Sequence, residues 1–466
     1  MKLYIDDKIL SIIYEKDYEE KIIRKNFTFK DSSNAFNKGS FDAKKIKTIC
    51  FVKKKKQYNF LYSGFLQDLL LICKNNNIAI TSVKDERTKL DYQKKEWNTE
   101  QLSAFFPNFA YVGHQIKSLH SMLKTNIGII EAPTSSGKSE IFIAFIKATR
   151  YPTLIVVNRI TLARQLVRRI KDNGFNNIGL CTGSGVSDGD IIVSTIGSVK
   201  KIPNLSKYKI LMLDEVHRAQ ANTYQDFLSK ISYPMRFGFS ATPNCGDKYK
   251  YALIRQFMGN VICKIEVAEV LEEGVIALPK IEMVKVDCFP TLDWPSAHYK
   301  CIVHNKDRND KIKKLVLDHN LPTLILVHHI AHGTSLMEDI PGSIFVSGVD
   351  DVNKRDRIIE DFENGKIKTV ISTNIFNEGI SINAIRLLII AGGGKSKIET
   401  VQRLGRGLRL DPKTGKKDCF VFDFCDKGNL FTERHSEMRE KIYKKAGFEV
   451  GYSSVKITSN ETKRNT

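Results

Sequence analysis

The sequence predicts an α/β chain: two tandem, doubly wound parallel-sheet lobes behind a small N-terminal α+β module. Two observations carry this. From about residue 101 to 447, apolar runs of strand length alternate with helical stretches, the pattern of stacked β–α–β units. Within that span one apolar run leads into a Gly-Lys-Ser loop and another ends on an Asp-Glu pair. Both put polar residues at the carboxyl ends of strands, where open α/β sheets keep their ligands.

Residues 1–100 form the N-terminal module in this reading. Positions 30 to 75 hold ten lysines and no arginine against three acids. Lys47–Val52 and Tyr58–Tyr62 read as two strands around the basic turn Lys53, Lys54, Lys55 and Lys56. Phe65–Cys73 then reads as a helix and Ile78–Val83 as a further strand. A charge run is most often a solvated turn, but four ammonium groups on one edge also suit a duplex phosphate backbone. The first lobe spans 101–278, and Leu271–Pro279 reads as the passage to the second, 279–447. Leu410–Lys417 breaks a helix with Pro and Gly, Cys419–Phe424 reads as the last strand, and 448–466 as a loose basic tail.

Ala132, Pro133, Thr134, Ser135, Ser136, Gly137, Lys138 and Ser139 fit the phosphate-loop pattern except for Ala132 in the leading glycine position. The loop follows the strand-like Ile127–Ile130 and precedes the helical Ile141–Ile146, so its N–H groups and the helix N-terminus converge on phosphates. In that pattern Lys138 reaches the β- and γ-phosphates and Ser139 holds Mg²⁺. Asp214 and Glu215 follow the apolar Lys209–Leu213. Asp214 is placed to fix Mg²⁺, and Glu215 to orient or deprotonate a water. In Gln402–Arg409, Arg406 and Arg409 are spaced for one helix face, which suits charge stabilisation on a γ-phosphoryl group.

These segments, with Ser240–Pro243, resemble the motif set of superfamily 2 helicases and translocases over about residues 101–447. The resemblance implies two RecA-like lobes with ATP in the cleft between them, ATP and Mg²⁺ as cofactors, and Gln402, Arg406 and Arg409 as catalytic. It makes Gln115 an adenine reader and adds His217, Glu378 and Gly379 to the nucleotide site. It gives nucleic-acid contacts to Asn158 and Arg159, to Thr195, and to Thr373 and Asn374. His328 is expected on the same side of the second lobe, after the strand-like Thr323–Val327. The N-terminal module, the compact lobes and the ending Val421–Phe424 with the helix Glu433–Tyr443 are similar to phage UvsW-type branch-migrating helicases, with kinship to RecG and XPB. That implies branched DNA as partner, with fork regression and Holliday-junction branch migration in recombination, repair and replication. An RNA helicase or remodeller with the same motor, or an ATP-gated nucleic-acid sensor, stays open.

Composition agrees. The chain has 466 residues, 42% hydrophobic, with a formal net charge of +21, which favours a polyanionic partner without separating DNA from RNA. No apolar run reaches membrane-span length, and the opening Met-Lys-Leu-Tyr-Ile-Asp-Asp lacks a secretory apolar stretch. Nine cysteines without Cys-x-x-Cys point to reduced thiols, so a cytoplasmic setting is expected. His298, Cys301 and His304 have faintly zinc-like spacing but no second ligand pair.

Overall fold

The computed structural model describes residues 1–31, 47–55, 58–92, 96–105, 111–244, 246–373, 382–395, 400, 404–405, 407–411, 414–453 and 455. The chain divides into two compact units. One comprises Met1–Ala132 and Gly137–Ile265; the other comprises Pro133–Ser136 and Glu266–Thr466.

The first unit begins with a five-stranded sheet in the spatial order Lys53–Lys55, Tyr58–Tyr62, Ile9–Ile13, Lys2–Ile5, Ser82–Asp85. Its neighbours are antiparallel except for the last pair. Alternation in Lys2–Ile5 sends Leu3 and Ile5 inward, against Ile23 of the helix Asp17–Asn26 and Leu69 of Leu66–Asn75. The expected lysine turn is corrected here. Lys47–Cys50 pairs instead with Thr28–Asp31, and Lys53–Lys55 is itself a strand, with Lys54 opposite Asn59. Its three side chains are exposed on the sheet's outer edge, and charge on an edge strand opposes unwanted strand addition. Lys56 lies outside the described residues.

This module shares its core with the rest of the unit. Ala252, Tyr249 and Leu253 of the helix Lys248–Met258 pack into it, and the Phe51 and Tyr249 rings lie 6.0 Å apart. The buried Arg236 guanidinium donates to the carbonyls of Asp7, of Tyr233 (2.8 Å) and of Phe257 (2.9 Å), and to Ser63 Oγ (2.6 Å). Gly64 tolerates no side chain because the Arg255 and Gln256 carbonyls press on it. Beside it Arg255 pairs with Asp68.

The unit's main sheet runs Gly185–Val186, Ile178–Thr182, Ile191–Thr195, Thr153–Val157, Ile210–Asp214, Met235–Ser240, Ile127–Glu131, Val261–Lys264. All neighbours are parallel except the first, two-residue edge strand. The central strands are fully buried and read as continuous apolar runs, as sheets covered on both faces require. Register puts Asp214 opposite Phe239 and Ser240 opposite Glu131, so the chemistry-bearing residues share one carboxyl edge.

The second unit has a seven-stranded, wholly parallel sheet: Ser343–Val346, Thr369–Ser372, Thr323–Leu326, Leu387–Ile390, Asp418–Lys427, Leu278–Asp287, Val450–Ser453. Two sequence expectations change. The last strand is Val450–Ser453 rather than Cys419–Phe424, because part of the segment read as a loose tail pairs with Leu278–Asp287. Arg409 is not helical but forms an antiparallel bridge with Ile276. Two buried ion pairs brace this unit: Arg308 Nε to Asp426 Oδ1 at 3.0 Å, and Arg439 Nε to Asp423 Oδ2 at 2.8 Å. Tyr443 adds a 2.7 Å hydrogen bond to Asp423.

Candidate active site

The strand Ile127–Glu131 ends at Ala132, whose N–H donates to the Ser240 carbonyl at 3.0 Å. Ser135 and Gly137 take left-handed φ values of 66° and 79°, the alternation that turns successive N–H groups to one side. Ser136 Oγ closes the turn on the Pro133 carbonyl at 2.8 Å. Gly137 starts the helix Lys138–Thr149 with no side chain capping it, which leaves the N-terminal N–H groups to an anion. A side chain at 137 would collide with Gln115 Nε2. Gln115 itself is buried, and its Oε1 accepts from the Val112 N–H at 3.3 Å.

Across the same edge, Lys138 Nζ lies 3.9 Å from Glu215 Oε1. Asp214 ends its strand and accepts from the Glu215 N–H at 3.0 Å. Burial, reinforced by the neighbouring Glu215 charge, pushes the Asp214 carboxyl up to about 6. Glu215 has φ 50°, a strained conformation for a non-glycine residue and one that clusters at functional sites. His217 Nδ1 lies 3.3 Å from Glu215 Oε2 and 3.0 Å from Ser240 Oγ, and Ser240 Oγ accepts from the Thr242 N–H at 3.1 Å. The Ser240–Pro243 segment is thereby wired to the acidic pair through one histidine.

A triphosphate with a divalent cation fits this donor set. The loop and Lys138 offer positive charge to phosphate, while the half-buried Asp214 beside Glu215 has acidic charge that a cation would relieve, with the Ser139 hydroxyl in the adjoining first helical turn. Within the second unit, Arg409 Nε donates to Ser135 Oγ at 3.3 Å, and Ser135 Oγ to the Gly405 carbonyl at 3.2 Å.

Of the expected nucleic-acid residues, Asn158 and Arg159 directly follow the strand Thr153–Val157, and Thr195 ends Ile191–Thr195 with its hydroxyl 3.1 Å from Ser198 Oγ. All three occupy the same carboxyl edge as Asp214. In the second unit His328 is exposed just beyond Thr323–Leu326, and Thr373 follows Thr369–Ser372. Asn374, Glu378, Gly379, Gln402 and Arg406 lie outside the described residues. Sequence reasoning gave no signal for the His217–Ser240 link, which joins positions far apart in the chain.

The family models match on both units. Residues 79–245 match the model described as type III restriction enzyme, res subunit, and 307–411 the helicase conserved C-terminal domain. The chain belongs to the superfamily 2 helicases. As a member it is an ATP-hydrolysing enzyme that binds nucleic acid. It is 27% identical to the ATP-dependent DNA helicase uvsW of Enterobacteria phage T4 over 382 residues, 74% of each chain. It is 24% identical to the DNA 3'-5' translocase XPB2 of Sulfurisphaera tokodaii over 352 residues, 64% of this chain and 79% of the relative. The chain spans between 48% and 79% of the lengths of such relatives. In structure it resembles S. cerevisiae Dbp5 bound to RNA and ADP BeF3 with a TM-score of 0.56 and 18% identity, covering 75% of this chain and 91% of that one. Its lobes are thus tandem RecA-like domains. Among the described residues no helix is long and apolar enough to cross a membrane.

Proposed function

We propose that this helicase works on DNA, at forks and four-way junctions, regressing or migrating the branch as it hydrolyses ATP. The observation that carries the reading is the basic edge strand Lys53–Lys55. Its module shares one core and the Arg236 hydrogen bonds with the lobe that bears Lys138, Asp214 and Glu215, so a duplex held there moves with that lobe. The 27% identity to the T4 DNA helicase over 74% of the chain supports the same substrate class.

In this reading Lys138 and the N–H groups of the loop 132–139 bind the β- and γ-phosphates, and Ser139 and Asp214 hold Mg²⁺. The ion, when bound, offsets charge on the phosphate oxygens. Glu215 orients the attacking water and takes its proton, and His217 holds that carboxylate from its other oxygen. Arg406 and Arg409 stabilise the charge that develops on the transferring group, with Gln402 supporting them. Asn158, Arg159, Thr195, His328, Thr373 and Asn374 grip the strand backbone, while Gln115, Glu378 and Gly379 line the nucleotide. The test is ATPase stimulation and strand displacement on forked, four-way, linear and single-stranded DNA and on structured RNA. Forks and junctions should give the highest rates; strongest stimulation by RNA overturns the DNA assignment.

A further inference from the structure

On the second unit the loop between the strand Leu278–Asp287 and the short helix Trp294–Ala297 carries large apolar side chains into water. Leu292 is 99% exposed and Phe289 51%, and Leu430 at the start of the neighbouring helix is 86% exposed. Their backbone is fixed. Asn429 Nδ2 donates to the Phe289 carbonyl and to Thr291 Oγ1, both at 2.9 Å, while Asn429 Oδ1 caps the helix Leu430–Lys445. Asp293 caps the helix Trp294–Ala297 through the Ser296 N–H at 2.8 Å. An apolar tip on so anchored a loop is a built surface rather than a frayed one.

The surroundings say what would cover it. Trp294 lies 4.1 Å ring to ring from His435 and 5.2 Å from His298, which in turn lies 5.7 Å from His328. The loop leaves the carboxyl end of the strand Leu278–Asp287, and the Trp294 ring is held there by packing on the buried His298 and His435. Exposed Lys395 and Arg434 act electrostatically on His435, and no acid pairs with either among the described residues. Of the nearby acids, Glu433 pairs with Lys427 at 2.6 Å and Asp426 with Arg308, while exposed Asp293 accepts from the Ser296 N–H and exposed Glu437 lies one turn beyond Arg434. Stacking faces interleaved with cations are the chemistry of single-strand binding, because every base offers a π-face and every nucleotide a phosphate.

We propose that Phe289, Leu292, Trp294 and Leu430, flanked by Lys395 and Arg434, form a platform on which the bases of an unpaired nucleic-acid strand stack. The inference rests on the helicase reading above and adds to it the place where the separated strand lies. The chain has two tryptophans, so in a Trp97→Phe background the fluorescence of Trp294 reports stacking directly. Oligo(dT) and oligo(U) should both quench it, since base faces are common to DNA and RNA. Phe289→Ala and Leu292→Ala should each weaken oligo(dT) binding roughly tenfold with no change in salt slope, because no cation is removed. Arg434→Ala should instead lower that slope by about one. Since these side chains are exposed, unchanged thermal melts verify that the variants remain folded. Absence of quenching, or wild-type affinity in both Phe289→Ala and Leu292→Ala, overturns the platform. ATPase stimulation of the wild type by DNA separates the two ideas. Stimulation without quenching removes the platform alone; quenching without stimulation keeps the platform and removes the DNA motor.

Discussion

The Lys138 ammonium stands 3.9 Å from Glu215 and fills no core, so Lys138→Ala should leave the fold intact while ATP turnover falls below roughly a tenth of wild type. A steady-state ATPase assay beside a thermal melt checks both halves, and appreciable turnover removes the phosphate-loop assignment. Arg409→Ala separates catalysis from binding. Turnover at saturating ATP should drop by on the order of 10³ while nucleotide affinity holds, as for an arginine that meets charge only in the transition state. Lost affinity at a normal rate would make Arg409 a simple binding residue. Residues of this kind were legible because their chemistry is local: a Gly-Lys-Ser after an apolar run, or acids ending one, declares a strand edge. Glu215's left-handed backbone and the Ser240 hydroxyl facing His217 were not, since each is set by contacts between distant strands.

Single elements carry the next two expectations. Changing Lys53–Lys56 to Ala should weaken duplex and junction binding across sequences and flatten its salt dependence by up to about three units of slope. Titrations at several salt concentrations measure this, and an unchanged slope would reduce the strand to edge protection. The lysines' charge was legible; their place within a strand was not, because the pairing of Lys47–Cys50 with Thr28–Asp31 left the run to pair with Tyr58–Tyr62. The helical turn His298–Val303 gives a pH signature. His298 is buried, its Nε2 donates to the Gly392 carbonyl at 3.1 Å, and His328, His329 and Arg308 face it. Burial, with those positive neighbours, lowers it to about 4 from the ordinary 6.5. Between those values the unfolded chain holds a proton that the folded one refuses, so stability falls as pH drops from about 6.5 to 4, by on the order of 3 kcal/mol. Denaturant melts of wild type and His298→Gln across that range should diverge, with the variant flatter; parallel curves would remove His298 as the cause.

At the scale of the whole molecule, the alternation of apolar runs and helices was enough to read two parallel-sheet lobes, since fully covered strands leave continuous apolar signatures. The fusion of the N-terminal module with the first lobe was hidden, because it rests on contacts between distant segments: the helix Lys248–Met258 packing into the module's core, and the buried Arg236 joining the carbonyls of Asp7, Tyr233 and Phe257. Arg236→Ala should cost about 3 kcal/mol, lower the melting temperature by on the order of 5–10 °C, and open the module to protease in step. Melting as wild type with unchanged digestion would show the module to be held by its apolar contacts alone. The second sheet has a consequence for biosynthesis. Its earliest strand, Leu278–Asp287, is flanked only by its two latest, Asp418–Lys427 and Val450–Ser453. While the ribosome makes everything between, Ile281, Met283, Val284 and Val286 have no neighbouring strand, for on the order of ten seconds at ordinary elongation rates. The nascent chain is stickiest there, and a truncated message ending before Asp418 yields a product destined for chaperones or aggregation.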